Sequence, residues 1–473
     1  MARVESENAV ALKSGVWYML SNFLTRGIVF ISTPIFARTL STAEFGGFHV
    51  YATWQTLLSI VCGLQFPLTL NRAKFDFQDS ERGEYIATNL IASNLLTIFL
   101  FVIFLSSGWI QNELLQLDTK YLAFMFLYMI CYPAFEVFQC EQRIAYRYKV
   151  SASLSFSSVL LGITLSVVFA LTFPDRLFGR IFGQYLPPIA LGCAFLVYYL
   201  REGFAFKPKY CKYALRISIP LVFSYLSSQI LTSSDKIVLR HISTEENVAF
   251  IGLVTTCGHI MSMFIQSVNN AWMPWMYDKY HAGRLKEING AFSRLQGLVA
   301  LGALFVVAIG PELILILGGN KYAGALILVP PVISGSIFSF MIFQYLNIET
   351  YYKKTFFAGI STTLTAALNI WLDVVFVNLY GFWAVSYVTA ACYAVLMTAH
   401  YLYVRFVLKD ALSNAANWAA SLAAGSVLTC AGNLLYRGNG LRFVAAGACV
   451  IAALALAAAT VPHTRFARAL KRD

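Results

Sequence analysis

The sequence predicts an all-α polytopic membrane protein with about fourteen transmembrane helices. Composition is the first reason: 58% of the 473 residues are hydrophobic, 12% are charged, and the mean hydropathy is +0.65. A water-soluble chain this apolar lacks the polar groups to cover its surface. Second, the apolar residues gather into stretches of about 20, which at a rise of about 1.5 Å per residue cross a hydrocarbon core. Third, the connections between them alternate in basic charge, as the two faces of a membrane require.

The stretches run over 14–37, 46–70, 85–108, 119–139, 151–173, 179–200, 214–234, 248–272, 293–318, 323–348, 356–378, 382–404, 413–435 and 441–461. Each is expected to be helical, because a helix closes its own backbone hydrogen bonds in lipid. The weakest are 179–200 and 413–435, where Pro187, Pro188 and several polar residues interrupt the pattern. Without that pair, twelve spans remain and both ends still share one side. The first 13 residues are mixed polar, and the first apolar run reads as a retained span, not a cleaved leader.

With the N-terminus inside, 25 Lys and Arg residues fall on the inner side, nine fall outside, and Arg26 lies within the first span. The asymmetry places both termini in the cytoplasm. It also accounts for the net charge of +12, which then needs no nucleic-acid partner. No connection exceeds about 20 residues, which leaves no room for an extramembrane catalytic or nucleotide-binding domain. There is no GxxxxGK[ST], no HExxH, and no GxSxG in a strand–turn–helix context. No catalytic residue and no cofactor is expected. The nine cysteines form no CxxC pair and no metal-ligand spacing, so no metal site is expected either.

An internal repeat groups the helices. Residues 38–44 read Arg-Thr-Leu-Ser-Thr-Ala-Glu and residues 240–246 read Arg-His-Ile-Ser-Thr-Glu-Glu, an offset of 202. Both sit at the outer end of the first span of a candidate half. The halves are 1–205 and 206–408, six spans each, and an even number of spans makes the repeat parallel. Residues 409–473 differ in being Ala-rich, with accessory helices 13 and 14 and a basic cytoplasmic tail. Small residues permit close helix packing; this pair is either an accessory packing element or a groove for a lipid tail.

Leu-Ser-Thr-Ala-Glu-Phe-Gly-Gly after span one, Ser-Ser-Asp-Lys-Ile-Val-Leu at the end of span seven, and Asn-Leu-Tyr-Gly-Phe-Trp-Ala-Val-Ser at 378–386 carry a resemblance. Over about residues 10–408 the chain resembles the polysaccharide flippases, the Wzx-type O-antigen and exopolysaccharide translocases of the MATE-like superfamily. The resemblance implies two six-helix bundles in a V-shaped MATE-like arrangement plus two C-terminal helices. It implies translocation of undecaprenyl-diphosphate-linked oligosaccharide across the bacterial inner membrane, with the lipid-linked oligosaccharide and membrane lipid as ligands. A polysaccharide polymerase and a chain-length regulator are the partners such a role implies. The chain lacks the dense cavity arginines and the Ser-Arg-x-Leu-Gly turn of lipid II flippases, and the acid in span one of drug exporters.

Ionisable residues within spans are the best site candidates, because burying them is costly unless they are used or paired. Arg26 is 12 residues from either end of 14–38, about 18 Å at helical rise, too deep to snorkel. Its guanidinium suits a diphosphate, or pairs with a carboxylate on another helix. Asn22 lies on the same face at i−4. Gln55, Gln65, Gln266, Asn269, Asn270 and Gln344 are positioned for hydroxyl recognition, and Trp17, Tyr18, Tyr51, Trp54, Trp272, Trp275 and Tyr345 for stacking on sugars, although interhelical bonding and interfacial belts use such residues too. Asp373, in the outer half of span eleven one turn after Asn369, is the deepest acid and the leading candidate for coupling to a proton or sodium ion. Neutralising Arg26 is its other use. Asp235 lies at the outer end of span seven beside Lys236, and Glu349 at the inner end of span ten, four residues before Lys353, with which it can pair to close an inner gate. A multidrug or cation antiporter and an intramembrane glycan polymerase or ligase remain as other readings.

Overall fold

The fold is that of a computed structural model, which describes residues 25, 27–145 and 147–460. It is helical throughout those residues, and two compact units divide it, Met1–Ser233 and Ser234–Asp473. In the first unit, α1 is described over Gly27–Thr39, followed by α2 (Thr42–Cys62), α3 (Phe66–Asp76), α4 (Arg82–Ser106), α5 (Thr119–Ile144), α6 (Tyr148–Thr172) and α7 (Arg176–Gly203). Helix α8 (Pro208–Ile242) crosses the division. The second unit continues with α9 (Glu245–His281), α10 (Leu285–Ala308), α11 (Gly310–Leu317), α12 (Val329–Tyr351), α13 (Phe356–Tyr380), α14 (Ala384–Leu402), α15 (Ala415–Ala431) and α16 (Asn439–Thr460).

Among the described residues, eleven helices are long and apolar enough to cross a membrane, and two shorter apolar helices, Gly27–Thr39 and Gly440–Leu456, accompany them. The proline-bearing stretch is one of the eleven: α7 runs unbroken through Pro187 and Pro188. The stretch 413–435 is another, formed by α15 and a 3₁₀ turn over Gly432–Arg437.

Two stretches read as single spans are broken. The run 46–70 is α2 and α3, separated at Gly63–Gln65, where Leu64 and Gln65 take positive φ. The Ser93 hydroxyl donates to the Cys62 carbonyl at 2.9 Å, satisfying a backbone group that the break frees. The run 293–318 breaks at Ile309, with Pro311 opening α11, since proline is favoured in a first turn and disrupts a helix interior.

One helix is central in each unit. In α5, 67% of the apolar window is buried, and in the Asn320–Tyr351 segment that ends in α12, 72% is, against a half or less elsewhere. These are the fourth and tenth of the expected spans, six apart. Helix α5 packs on α3, α4 and α7, and α12 on α9, α10, α14 and α15. Small residues set the closest approaches. A Cβ on Gly183 would overlap the backbone of Ser166 between α7 and α6, and one on Gly192 would overlap Cys131 between α7 and α5.

The repeated heptapeptides both end one helix and cap the next. Ser41 caps α2 in a reciprocal box with Glu44, and Thr244 caps α9 through the Asn247 N–H. The caps are 203 residues apart while the sequence match is 202, because α8 continues one residue further before its turn. Arg240 pairs with Glu245 across that turn.

Candidate functional site

A buried polar cluster of the second unit lies where α8, α13 and α14 meet. Asp373 on α13 is fully buried, and neither carboxylate oxygen receives a hydrogen bond from the described residues. One turn earlier, the buried Asn369 accepts from the Ser234 hydroxyl at 3.0 Å and donates to the Thr389 hydroxyl at 3.2 Å. Asp235 follows Ser234 on α8 and is buried. Its carboxylate takes the Lys236 backbone N–H at 2.8 Å and lies 3.3 Å from the Lys236 ammonium. With both carboxyls ionised, two negative charges stand against one ammonium amid neutral side-chain oxygens. Among the described residues, no group of three His, Cys, Asp or Glu side chains could hold a metal ion.

Glu349 belongs to a second cluster. Its Oε1 lies 2.6 Å from His400 Nδ1, both side chains are fully buried, and Ser361 Oγ lies 3.4 Å from His400 Nε2. The expected i+4 partner, Lys353, is displaced from the helix: α12 ends at Tyr351, and Lys353 is exposed with φ 57°. Glu349 is bonded to His400, whereas Asp373 and Asp235 neighbour Asn369 and Ser234.

The polar residues of α9 are arranged differently. Gln266 and Asn270 are exposed, whereas Asn269 is half-buried and accepts from Asn347 Nδ2 of α12 at 2.8 Å. Gln55 lies in the first unit, buried and already engaged: its amide donates to Ser59 at 2.9 Å and accepts from the Tyr185 hydroxyl at 3.3 Å. Arg26 and Asn22 lie outside the described residues.

Against this geometry stand the chain's likenesses. Residues 11–279, more than half of the chain, match the family described as polysaccharide biosynthesis protein. The chain belongs to that family. A protein of the Lsg locus of Haemophilus influenzae is 24% identical over 334 residues, covering 66% of this chain and 78% of that one. A lipid II flippase, MurJ, in an inward closed conformation shares the fold with a TM-score of 0.64 and 13% identity, over 89% of this chain and 99% of its own. An inward-facing multidrug resistance transporter of the MATE family follows with a TM-score of 0.61 and 15% identity, over 83% of this chain and 95% of its own. At such identities the likeness establishes the MATE-like fold and nothing finer.

Sequence reasoning missed several groups in this polysaccharide biosynthesis protein. Ser234 and Thr389 complete the hydrogen bonding of Asn369 from helices far away in sequence. His400 lies 51 residues from Glu349. A signal for it existed: a histidine inside an apolar span needs a partner as much as a carboxylate does.

Proposed function

We propose that this protein is a flippase for undecaprenyl-diphosphate-linked oligosaccharide, an O-antigen or exopolysaccharide repeat unit. It acts by alternating access in the bacterial inner membrane, with both termini cytoplasmic, and is driven by a proton or sodium ion. The observation that carries this reading is the match to a polysaccharide biosynthesis family in a chain whose described residues are almost wholly helical and membrane-apolar. Its fold is also that of a protein described as a lipid II flippase.

Arg26 binds the diphosphate, because a guanidinium forks two hydrogen bonds to phosphate oxygens and stays charged. Asn22 supports it, and Gln266 and Asn270 meet sugar hydroxyls from the exposed edge of α9, with Asn269 set beside them through Asn347. Gln55 helps to shape the site through its bonds to Ser59 and Tyr185. The polyprenyl chain stays in lipid. Asp373 and Asp235 bind the coupling cation. A monovalent cation closes their charge balance, and Asn369, Ser234 and Thr389 place hydroxyl and amide oxygens next to them. The cation drives the cycle only if it binds one state more tightly than the other. Glu349 with His400 is the second candidate proton carrier. A polymerase and a chain-length regulator receive the product.

The test is a deletion strain in which polyprenyl-diphosphate-linked glycan is measured in the cytoplasmic leaflet. Accumulation reversed by the intact gene but not by well-expressed Arg26→Ala supports the flippase and its anion site. Reversal by both removes Arg26 from the essential set. The buried Asp373 and the likeness to a multidrug transporter favour a cation antiporter as the second reading. Changed toxin sensitivity without accumulation selects it.

A further inference from the structure

Helix α9 carries a proline in its interior, Pro274, seven residues before its end at His281. Proline has no N–H, so the Asn270 carbonyl lacks the backbone bond that a helix would give it there. Helices bend at such points. The tip 275–281 is therefore joined to the rest of α9 through a weak point, beside Asn269 and Asn270.

Side chains hold that tip in place. Before the proline, Asn347 of α12 donates its amide to Asn269 at 2.8 Å. Beyond it, the Tyr277 hydroxyl donates to the Asn347 carbonyl at 2.9 Å. The last turn is fastened by Tyr280, whose hydroxyl donates to the Asp410 carboxylate and lies 2.7 Å from the Tyr352 hydroxyl. Tyr352, which caps α12, donates to the same carboxylate oxygen at 3.0 Å. The pair Lys279–Glu287 ties the tip only to the first turn of α10, the next segment of the chain.

The two sides of this fastening differ. Asp410 lies in the link between α14 and α15, 3% exposed, and is anchored locally. Its N–H donates to the Val404 carbonyl at 3.1 Å, and its carbonyl accepts from the Ser413 hydroxyl at 2.6 Å. Its other carboxylate oxygen accepts from the Leu412 N–H at 2.7 Å. Tyr280 is half-buried. When its hydroxyl leaves, water replaces the carboxylate, and Asp410 keeps the Tyr352 and Leu412 donors. Release therefore strands neither partner. The exposed edge of α9 runs straight across the joint, through Gln266, Asn270, Pro274 and Asp278 at four-residue spacing.

We propose that the tip of α9 beyond Pro274 is a gate arm at the Lys- and Arg-rich end of the second unit, and that Asp410 is its latch. Held through Tyr280, the arm continues the line of α9; released, it swings about 270–274 and re-aims the edge that carries Gln266 and Asn270. The inference rests on the alternating-access part of the flippase reading and on no particular cargo.

The experiment is amide hydrogen exchange on the purified full-length protein in detergent. Tyr280→Phe, which deletes one hydroxyl, is expected to raise exchange across residues 275–281 about tenfold to a hundredfold, the equivalent of one hydrogen bond to a charged group. Exchange across residues 248–265 is expected to stay unchanged. Pro274→Ala in the same chain restores the backbone bond to Asn270 and is expected to return the tip to the parent's rate. Where Tyr280→Phe does not fold, Asp410→Asn, which keeps the shape and removes the charge, is expected to loosen the same residues. An unchanged tip, or a rise spread evenly over α9, overturns the latch. In the deletion strain, well-expressed Pro274→Ala is expected to leave lipid-linked glycan in the cytoplasmic leaflet; reversal as complete as by the intact gene overturns the gating role. The exchange measurement needs no cargo, so it judges the latch even where the flippase reading fails.

Discussion

Glu349 Oε1 and His400 Nδ1 lie 2.6 Å apart, and neither side chain has any exposed surface. The pair joins the central helix α12 to α14, and Phe357 of α13 closes edge-on over the imidazole, its ring centroid 5.5 Å away. A buried pair of this kind is tolerated as a unit and costly when halved. Removing one partner strands the other away from water. His400→Ala is therefore expected to cost about 3–5 kcal/mol of stability, while the double replacement Glu349→Leu with His400→Leu costs much less. Lys353→Ala is expected to change nothing, since Lys353 is exposed beyond the helix. Thermal unfolding of the four proteins in one detergent decides the matter; equal losses in the single and double variants would sink the pairing.

Asp373 is expected to behave in the opposite way. Its carboxyl group is buried with no hydrogen-bond donor among the described residues, so Asp373→Asn replaces an ionisable buried group by a neutral one and keeps the shape. The variant folds at least as well as the parent. What it loses is a response to cations: a ligand at about 100 times its Kd stabilises the folded state by about 2.7 kcal/mol. The melting temperature of the parent rises when choline chloride is exchanged for sodium chloride, or when the pH is lowered, and that of the variant does not. An identical response in both proteins removes Asp373 from the ion site.

What could be read in advance follows from what is local. The apolar runs of α4–α10 and α12–α14 register in any window of about 20 residues, and the placement of Asn369 and Asp373 on one helix face follows from their i, i+4 spacing. The breaks could not be read that way. Gly63–Gln65 interrupts no apolar run; the chain turns there because Leu64 and Gln65 adopt left-handed backbone, which hydropathy does not register. Partners from other helices were equally hidden. Nothing near Glu349 points to His400, and a helical rule that supplies Lys353 fails once the helix stops two residues short of it. Gln344 and Trp272 were recognisable as polar or amphipathic positions, but that they line one small cavity depends on how α9, α10 and α12 pack.

Close packing of α6 against α7 makes a sharp test of the small-residue interface. Gly183 faces the backbone of Ser166, which cannot move aside as a side chain can. Gly183→Val is expected to cost at least 1–3 kcal/mol through overpacking and helix separation. Gly290 on α10 has nothing within 4 Å of a built Cβ, so Gly290→Ala is expected to be neutral or to stabilise by about 0.4–1 kcal/mol. Folded yield and melting temperature report both. A tolerated valine at 183 would show that α6 and α7 are not in contact there.

The last prediction concerns the segment joining α7 to α8 in the first unit. Glu81, in the turn before α4, accepts from Lys209 Nζ at 2.8 Å, from the Tyr210 hydroxyl at 2.8 Å and from the Gln78 N–H at 3.3 Å. Nearby, Lys207 Nζ donates to Glu84 at 2.5 Å and its backbone N–H to the Thr88 hydroxyl at 3.2 Å. Donation from Lys209 first, then from Tyr210 and the Gln78 backbone, holds the Glu81 carboxyl down at about 2. Such a depression means that the folded form prefers the carboxylate. Its support for the clamp is complete above the ordinary Glu value of about 4.3 and is lost as pH falls from there through about 2. Amide exchange across residues 204–207, corrected for intrinsic rates, is therefore expected to be level from about pH 7 to pH 5 and to rise only in that acid window. Glu81→Gln should show the raised exchange at every pH, without the acid step. If the step persists in the variant, Glu81 is not the group that fastens this segment, and Glu84 or Asp76, which accepts from Tyr213 at 2.5 Å, takes its place.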